Sequence, residues 1–188
     1  MKKMNKKGFT LIELLAVIII LGVLLLIAVP SVSKYIQNSR MSTYGTNLSK
    51  LVDAVSTEVN SYSKNYTFAT SEYLVVPLHC IDVERGSNTE SPFGPYIQNQ
   101  SFVIVTRKYE GESTVPVGFN YYVTAVDTNG YGANLAAAEK VSVVAGPTAS
   151  KIEKGTGENE YNLTVTTSIP EIKEGMKGRI VGNCTIAE

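Results

Sequence analysis

"KKGFTLIELLAVIIILGVLLLIAVP", Lys6 to Pro30, is the stretch on which the fold turns. From Leu14 to Val29 every residue except Gly22 is aliphatic. As a helix, Phe9 to Pro30 spans roughly 33 Å at ~1.5 Å per residue, close to the ~30 Å of a bilayer's hydrocarbon. The segment is therefore able to cross a membrane once. One carboxylate, Glu13, stands near its start. An acidic side chain at the centre of a membrane helix costs on the order of 2.5–3.5 kcal/mol, and less near the ends, so such a group usually has a partner.

Three ordinary readings account for only part of this pattern. A secretory signal peptide has a basic start, but its apolar core is only ~7–15 residues and ends in a small-x-small cleavage site. Here the run is longer and closes on Ala28-Val29-Pro30. A permanent anchor fits the length, with Lys2, Lys3, Lys6 and Lys7 holding the start in the cytoplasm, yet it leaves Glu13 without a purpose. A core helix of a soluble protein needs other strongly apolar elements around it, and the rest of the chain is too polar to supply them.

Lys6-Lys7-Gly8 followed by Phe9-Thr10-Leu11-Ile12-Glu13-Leu14 and an unbroken apolar helix resembles the prepilin signature of type IV pilins and pseudopilins. The resemblance is specific from Lys6 to about Arg40 and architectural beyond it. It implies cleavage between Gly8 and Phe9 by a membrane-embedded prepilin peptidase, and methylation of the new terminus at Phe9. It also gives Glu13 a partner, the cationic amine at Phe9 of a neighbouring subunit, since opposite charges attract far more strongly in a low-dielectric medium than in water. Pairing with the amine of its own chain, one helical turn away, is the rival. Gly22 and Pro30 are common in membrane helices. In the family, a helix stretch ending at a proline in this position loses regular hydrogen bonding in the filament, so Gly22 to Pro30 is the expected site of flexibility.

The 188-residue chain has room for this helix and one globular domain. Boundaries follow as a leader at 1–8, a membrane and polymerisation helix at 9–30, an amphipathic continuation at 31–60 and a β-rich head at 61–188. Removing the four leader lysines from 17 basic residues leaves 13 against 17 acidic ones, a net of −4 before the new terminus. That balance argues against a generally basic, DNA-coating protein. Past Pro30, Tyr44, Leu48, Leu51, Val52, Val55 and Val59 recur at steps of three and four, one apolar stripe that should pack on a sheet. The helix should end near Asn60, with "NSYSKNYTFATS" a connecting loop.

Thereafter the signals are mostly β. Tyr73 to Val83, Ser101 to Tyr109, Val117 to Asp127 and Glu160 to Ile169 are rich in β-branched and aromatic residues and read as strands of an antiparallel sheet. "SPFGPY", "DTNGYG" and "EKGTGENE" carry turn residues, and "ANLAAAEK" reads equally as a short helix or a loop. The fold class is α+β and pilin-like: a long N-terminal helix whose second half packs on an antiparallel head.

The residues supply no catalytic constellation. His79 beside Cys80 invites a thiol-nucleophile reading, but neighbouring residues of a strand point to opposite faces, so a dyad is not expected. No P-loop, dinucleotide-binding glycine pattern, metal-binding histidine pair or Gly-x-Ser-x-Gly elbow occurs. Asp127-Thr128-Asn129-Gly130 looks like the start of a calcium loop, but the ligand run is not completed, which favours a hairpin turn. No catalytic residue, metal or cofactor is expected.

The resemblance further implies a structural subunit, held in the cytoplasmic membrane before assembly and displayed in a surface pilus afterwards. Its partners would be copies of itself, other pilins, the prepilin peptidase, an assembly ATPase and a membrane platform. A pseudopilin or competence pilin of a secretion or transformation system is the alternative, and a non-polymerising single-pass adhesin a more distant one. Many pilins close a C-terminal loop with a cysteine pair. With cysteine used only at Cys80 and Cys184, both in the exported head, a disulfide between them is expected.

Overall fold

A computed structural model describes residues 9–61, 66–82, 87–148, 150–154, 161–164 and 168–181. The chain divides into two compact units, one up to Ser39 and one from Arg40 onward. The first consists of the opening part of α1, an α-helix over Leu11–Asn60. Its side chains are exposed throughout. Pro30 lies within α1, and the helix continues past it. A proline removes one backbone donor; the hydroxyls of Ser31 and Ser33 just beyond donate back to the carbonyls of Ile27 (3.3 Å) and Val29 (3.0 Å).

The second unit contains the rest of α1 and the head. A six-stranded sheet is formed by β1 (Glu72–Pro77), β2 (Phe102–Tyr109), β3 (Pro116–Val126), β4 (Tyr131–Ala137), β5 (Val143–Ala145) and β8 (Lys177–Ile180), in the order β5-β4-β3-β2-β1-β8. All neighbours are antiparallel except β1 and β8, which run parallel. β6 (Lys151–Lys154) and β7 (Tyr161–Thr164) form a separate antiparallel ribbon. The α+β, pilin-like class expected from the sequence is the one observed.

The core forms on both faces of the sheet. On one, Leu74, Val76, Val103, Val105, Val123, Ala125 and Ala133 pack with Tyr44, Leu48, Leu51, Val52, Val55 and Val59 of α1. These six helix residues are the ones the three- and four-residue steps pick out, and all are buried. On the other face Tyr73, Val75, Phe102, Ile104 and Leu135 pack with Ile152 and Ile169. That second layer was not anticipated. Strand side chains alternate between faces, so the continuous burial of Tyr73–Pro77 reports a sheet covered on both sides.

Several elements depart from the sequence reading. The strand expected over Tyr73 to Val83 stops at Pro77 and tightens into a 3-10 turn, Leu78–Cys80. Among the described residues of Glu160 to Ile169, Tyr161–Thr164 is strand, and it lies in the ribbon rather than the main sheet. "ANLAAAEK" is strand as far as Ala137 and then a 3-10 turn, Ala138–Lys140. Pairing with β3 overrides the low strand propensity of its alanines. The pairing is close: a Cβ on Gly132 would stand 2.0 Å from the carbonyl oxygen of Ala125, so only glycine fits. "DTNG" forms the expected β3–β4 hairpin turn.

Candidate assembly and processing site

The helix that carries the candidate site begins with a reciprocal cap. Thr10 precedes the first helical residue, and Glu13 stands three positions later. Glu13 Oε2 accepts the Thr10 backbone N–H at 2.8 Å and the Thr10 hydroxyl at 2.7 Å, while the Thr10 oxygen accepts the Glu13 N–H at 3.3 Å. A helix start leaves its first N–H groups without intrahelical partners, and a threonine with a glutamate three residues on meets this need from both sides. The carboxylate also sits where the positive end of the helix dipole favours a negative charge.

Sequence reasoning gave Glu13 only an amine as partner and passed over Thr10. The signal was present, because Thr10-Leu11-Ile12-Glu13 is the capping-box pattern immediately before an apolar run. Phe9, just outside the helix, is 90% exposed. Gly8 lies outside the described residues. Beyond Glu13 the apolar residues from Leu14 to Ile36 remain exposed, and nothing lies within 4 Å of where a Cβ on Gly22 would stand. α1 is long and apolar enough to cross a membrane, and none of its apolar window is buried. An aliphatic surface of this extent is unfavourable in water; lipid or other helices of the same kind would cover it.

The two elements singled out in the head have other roles. Asp127 is buried and accepts from the Ser91 hydroxyl (2.7 Å) and the backbone N–H groups of Asn129 (2.9 Å) and Tyr131 (3.0 Å). The Asn129 amide donates to the Phe93 carbonyl, and the Phe93 and Tyr131 rings stack at 4.0 Å. This network locks the β3–β4 turn to the loop before β2. Among the described residues no group of His, Cys, Asp and Glu side chains is arranged to hold a metal.

The expectation that His79 and Cys80 point apart is corrected. In the 3-10 turn the Cys80 Sγ lies 3.6 Å from His79 Nε2. A strand would have separated the two side chains, but the tighter turn swings consecutive residues toward one side. Cys184 lies outside the described residues.

Comparison with known proteins fits the geometry of the N-terminal segment. The family described as "Prokaryotic N-terminal methylation motif" matches residues 3–29. The chain is type IV pilin-like, with a long apolar N-terminal helix and a head built on a mostly antiparallel sheet. It fits a membrane-anchored, single-pass pilin.

More particularly, it is 35% identical over 63 residues to the ComG operon protein 3 homolog of Bacillus licheniformis, covering 34% of this chain and 61% of that one. It is 56% identical over 34 residues to the competence protein ComGC of Bacillus subtilis, covering 18% of this chain and 35% of that one. The matched region thus spans about three fifths and about a third of the length of these curated relatives. No solved structure matches the chain.

Proposed function

We propose that the chain is the structural subunit of a type IV pilus-like surface filament. It is cut by a prepilin peptidase between Gly8 and Phe9, methylated at Phe9 and assembled with copies of itself and other pilins through α1. The observation that carries this reading is the exposed aliphatic length of α1 opening on the Thr10–Glu13 cap. Only one carboxylate oxygen of Glu13 is engaged by Thr10, which leaves the other to meet the Phe9 amine of a neighbour. Gly22 to Pro30 is the segment that yields during assembly. Similarity to the competence protein ComGC of Bacillus subtilis favours a competence-type filament as the second reading.

A Cys80–Cys184 disulfide belongs to the same proposal. β1 and β8 run parallel with Val75 opposite Ile180, and the Val181 N–H donates to the Val75 carbonyl at 3.0 Å. Cys80 follows Val75 by five residues and Cys184 follows Ile180 by four in the sequence. Closing a loop of about 100 residues restricts the unfolded chain by up to about 4.7 kcal/mol in the entropy account.

Intact-mass measurement of the protein from its native cell tests the processing. A chain starting at Phe9 and carrying one methyl group is expected, and a mature chain still starting at Met1 overturns the reading. Electron microscopy with antibody to the head then decides between filament subunit and solitary membrane protein.

A further inference from the structure

Past Ile36, the large hydrophobic side chains that stay exposed among the described residues are Tyr109, Val115 and Val117. All three stand at the tip of the β2–β3 hairpin. Val115 is 67% exposed, Val117 57% and Tyr109 37%. Scattered exposed apolar residues need no explanation, but a cluster on an otherwise well-covered head marks a contact surface. Glu110 and Glu112 are exposed between them, with Lys108 at the base of the tip. The hairpin is held rigidly from below, where the Arg107 guanidinium lies 4.8 Å over the Phe68 ring and donates to the Phe68 carbonyl. Phe119, opposite Arg107 in the register, packs on the same ring at 5.7 Å.

A surface of complementary character occurs on α1. Val32, Tyr35, Ile36 and Arg40 are exposed and share one side of the helix by their steps of three and four. Between Leu14 and Val52 the chain holds Lys34, Arg40 and Lys50 and no acidic residue. An apolar tip flanked by carboxylates thus has a matching apolar helix side ending in a guanidinium.

We infer that the β2–β3 tip of one copy docks on the Val32–Arg40 side of α1 in a second copy. The inference rests on the filament reading and names a contact within it. Within a filament each copy sets its tip on one neighbour and receives the tip of another on its helix side, so the contact is heterologous. Each copy offers both halves, so the contact repeats from copy to copy and builds an open filament where the rotation between copies does not close a ring. The acidic residues set register by pairing with Arg40, while Val115 and Val117 cover Tyr35 and Ile36. Opposite charges placed in this way select the correct partner as much as they strengthen it.

The test replaces Val115 in the full chain by the photoreactive p-benzoylphenylalanine, in native cells that also make an isotope-labelled second copy. After irradiation, peptide mapping should show Val115 joined to residues 32–40 of the labelled copy. Joining Glu110→Lys with Glu112→Lys should lower that yield by about tenfold, and Arg40→Glu in the second copy should restore it. Adducts to lipid, to another protein or to other residues of the copy overturn the inference, as does no adduct. If the chain starts at Phe9 and filaments form without the cross-link, this contact falls and the filament reading stands. A cross-link in chains that keep Met1 or form no filaments does the reverse.

Discussion

At Glu13 single substitutions separate the observed helix cap from the proposed pairing with a neighbouring amine. Gln at this position keeps an oxygen for the Thr10 N–H and hydroxyl but has no charge for a neighbouring amine, whereas Ala removes both. A helix cap of this kind is worth about 0.5–2 kcal/mol. Glu13→Gln should therefore leave the helix start intact and still lower filament yield with subunit retained in the membrane; Glu13→Ala should lose both. Filament counts beside membrane-fraction blots check this, and normal filaments with either variant would show that the charge is not used in assembly. Asp127 is as exacting in a different way. Its three acceptor contacts are buried, and hydrogen bonds to a charged group contribute about 1.5–3 kcal/mol each. Asp127→Ala should lower the head's denaturation midpoint and loosen the Phe93–Tyr131 stack, seen as a change in near-ultraviolet dichroism. An unchanged midpoint would show that the network is not what holds this turn.

The elements were legible in proportion to how much of their pattern is local. The lower half of α1 was readable because its burial follows helical periodicity, and Leu51, 1% exposed, lies near the middle of that stripe. Leu51→Ala should destabilise the head by about 2–5 kcal/mol through the cavity it leaves. Thermal melting of the detergent-solubilised full chain measures it, and a loss within experimental error would mean that the stripe does not anchor the sheet. β8 was not readable. "KGRI" is short and carries two charges, and what makes it a strand is β1 beside it: Gly178 lies under the Tyr73 ring, where a Cβ would come within 2.9 Å. Arg179 then reaches the Thr67 carbonyl in the loop after α1. The candidate site divides in the same way. Gly8, Phe9 and Glu13 could be picked out because their spacing is a local motif, and Thr10 could have been. The turn that brings His79 onto Cys80 depends on where β1 ends, which strand propensity alone did not reveal.

At the scale of the whole head, tyrosine burial sets an upper limit on pH. Desolvation raises the hydroxyls of Tyr44, Tyr66, Tyr73, Tyr96 and Tyr121, and nearby Asp127 adds to the rise at Tyr44 and Tyr96. Tyr122, desolvated and donating to the Glu171 carboxylate at 2.8 Å, is pushed up to about 12. An unfolded tyrosine ionises near about 10. Between that value and the raised one the folded state binds more protons, so stability is complete below about pH 10 and falls as pH rises through the folded values. Denaturation midpoints should hold steady from neutrality to about 10 and then drop. Tyr122→Phe should flatten only part of the drop, since that side chain remains partly exposed. Midpoints unchanged to about pH 12 would contradict this account of the tyrosines.

The parallel pairing of β1 with β8 also dictates an order of events. About 100 residues separate the two strands, so as the chain is synthesised β1 first stands at the margin of the nascent sheet, with one row of its amides and carbonyls open. It becomes an interior strand only when Lys177–Ile180 arrives. Until then the unfinished head offers a bare strand to any extended chain nearby. A cell making many copies at one membrane site would benefit from delivering each chain through β8 before the next half-built head comes within reach.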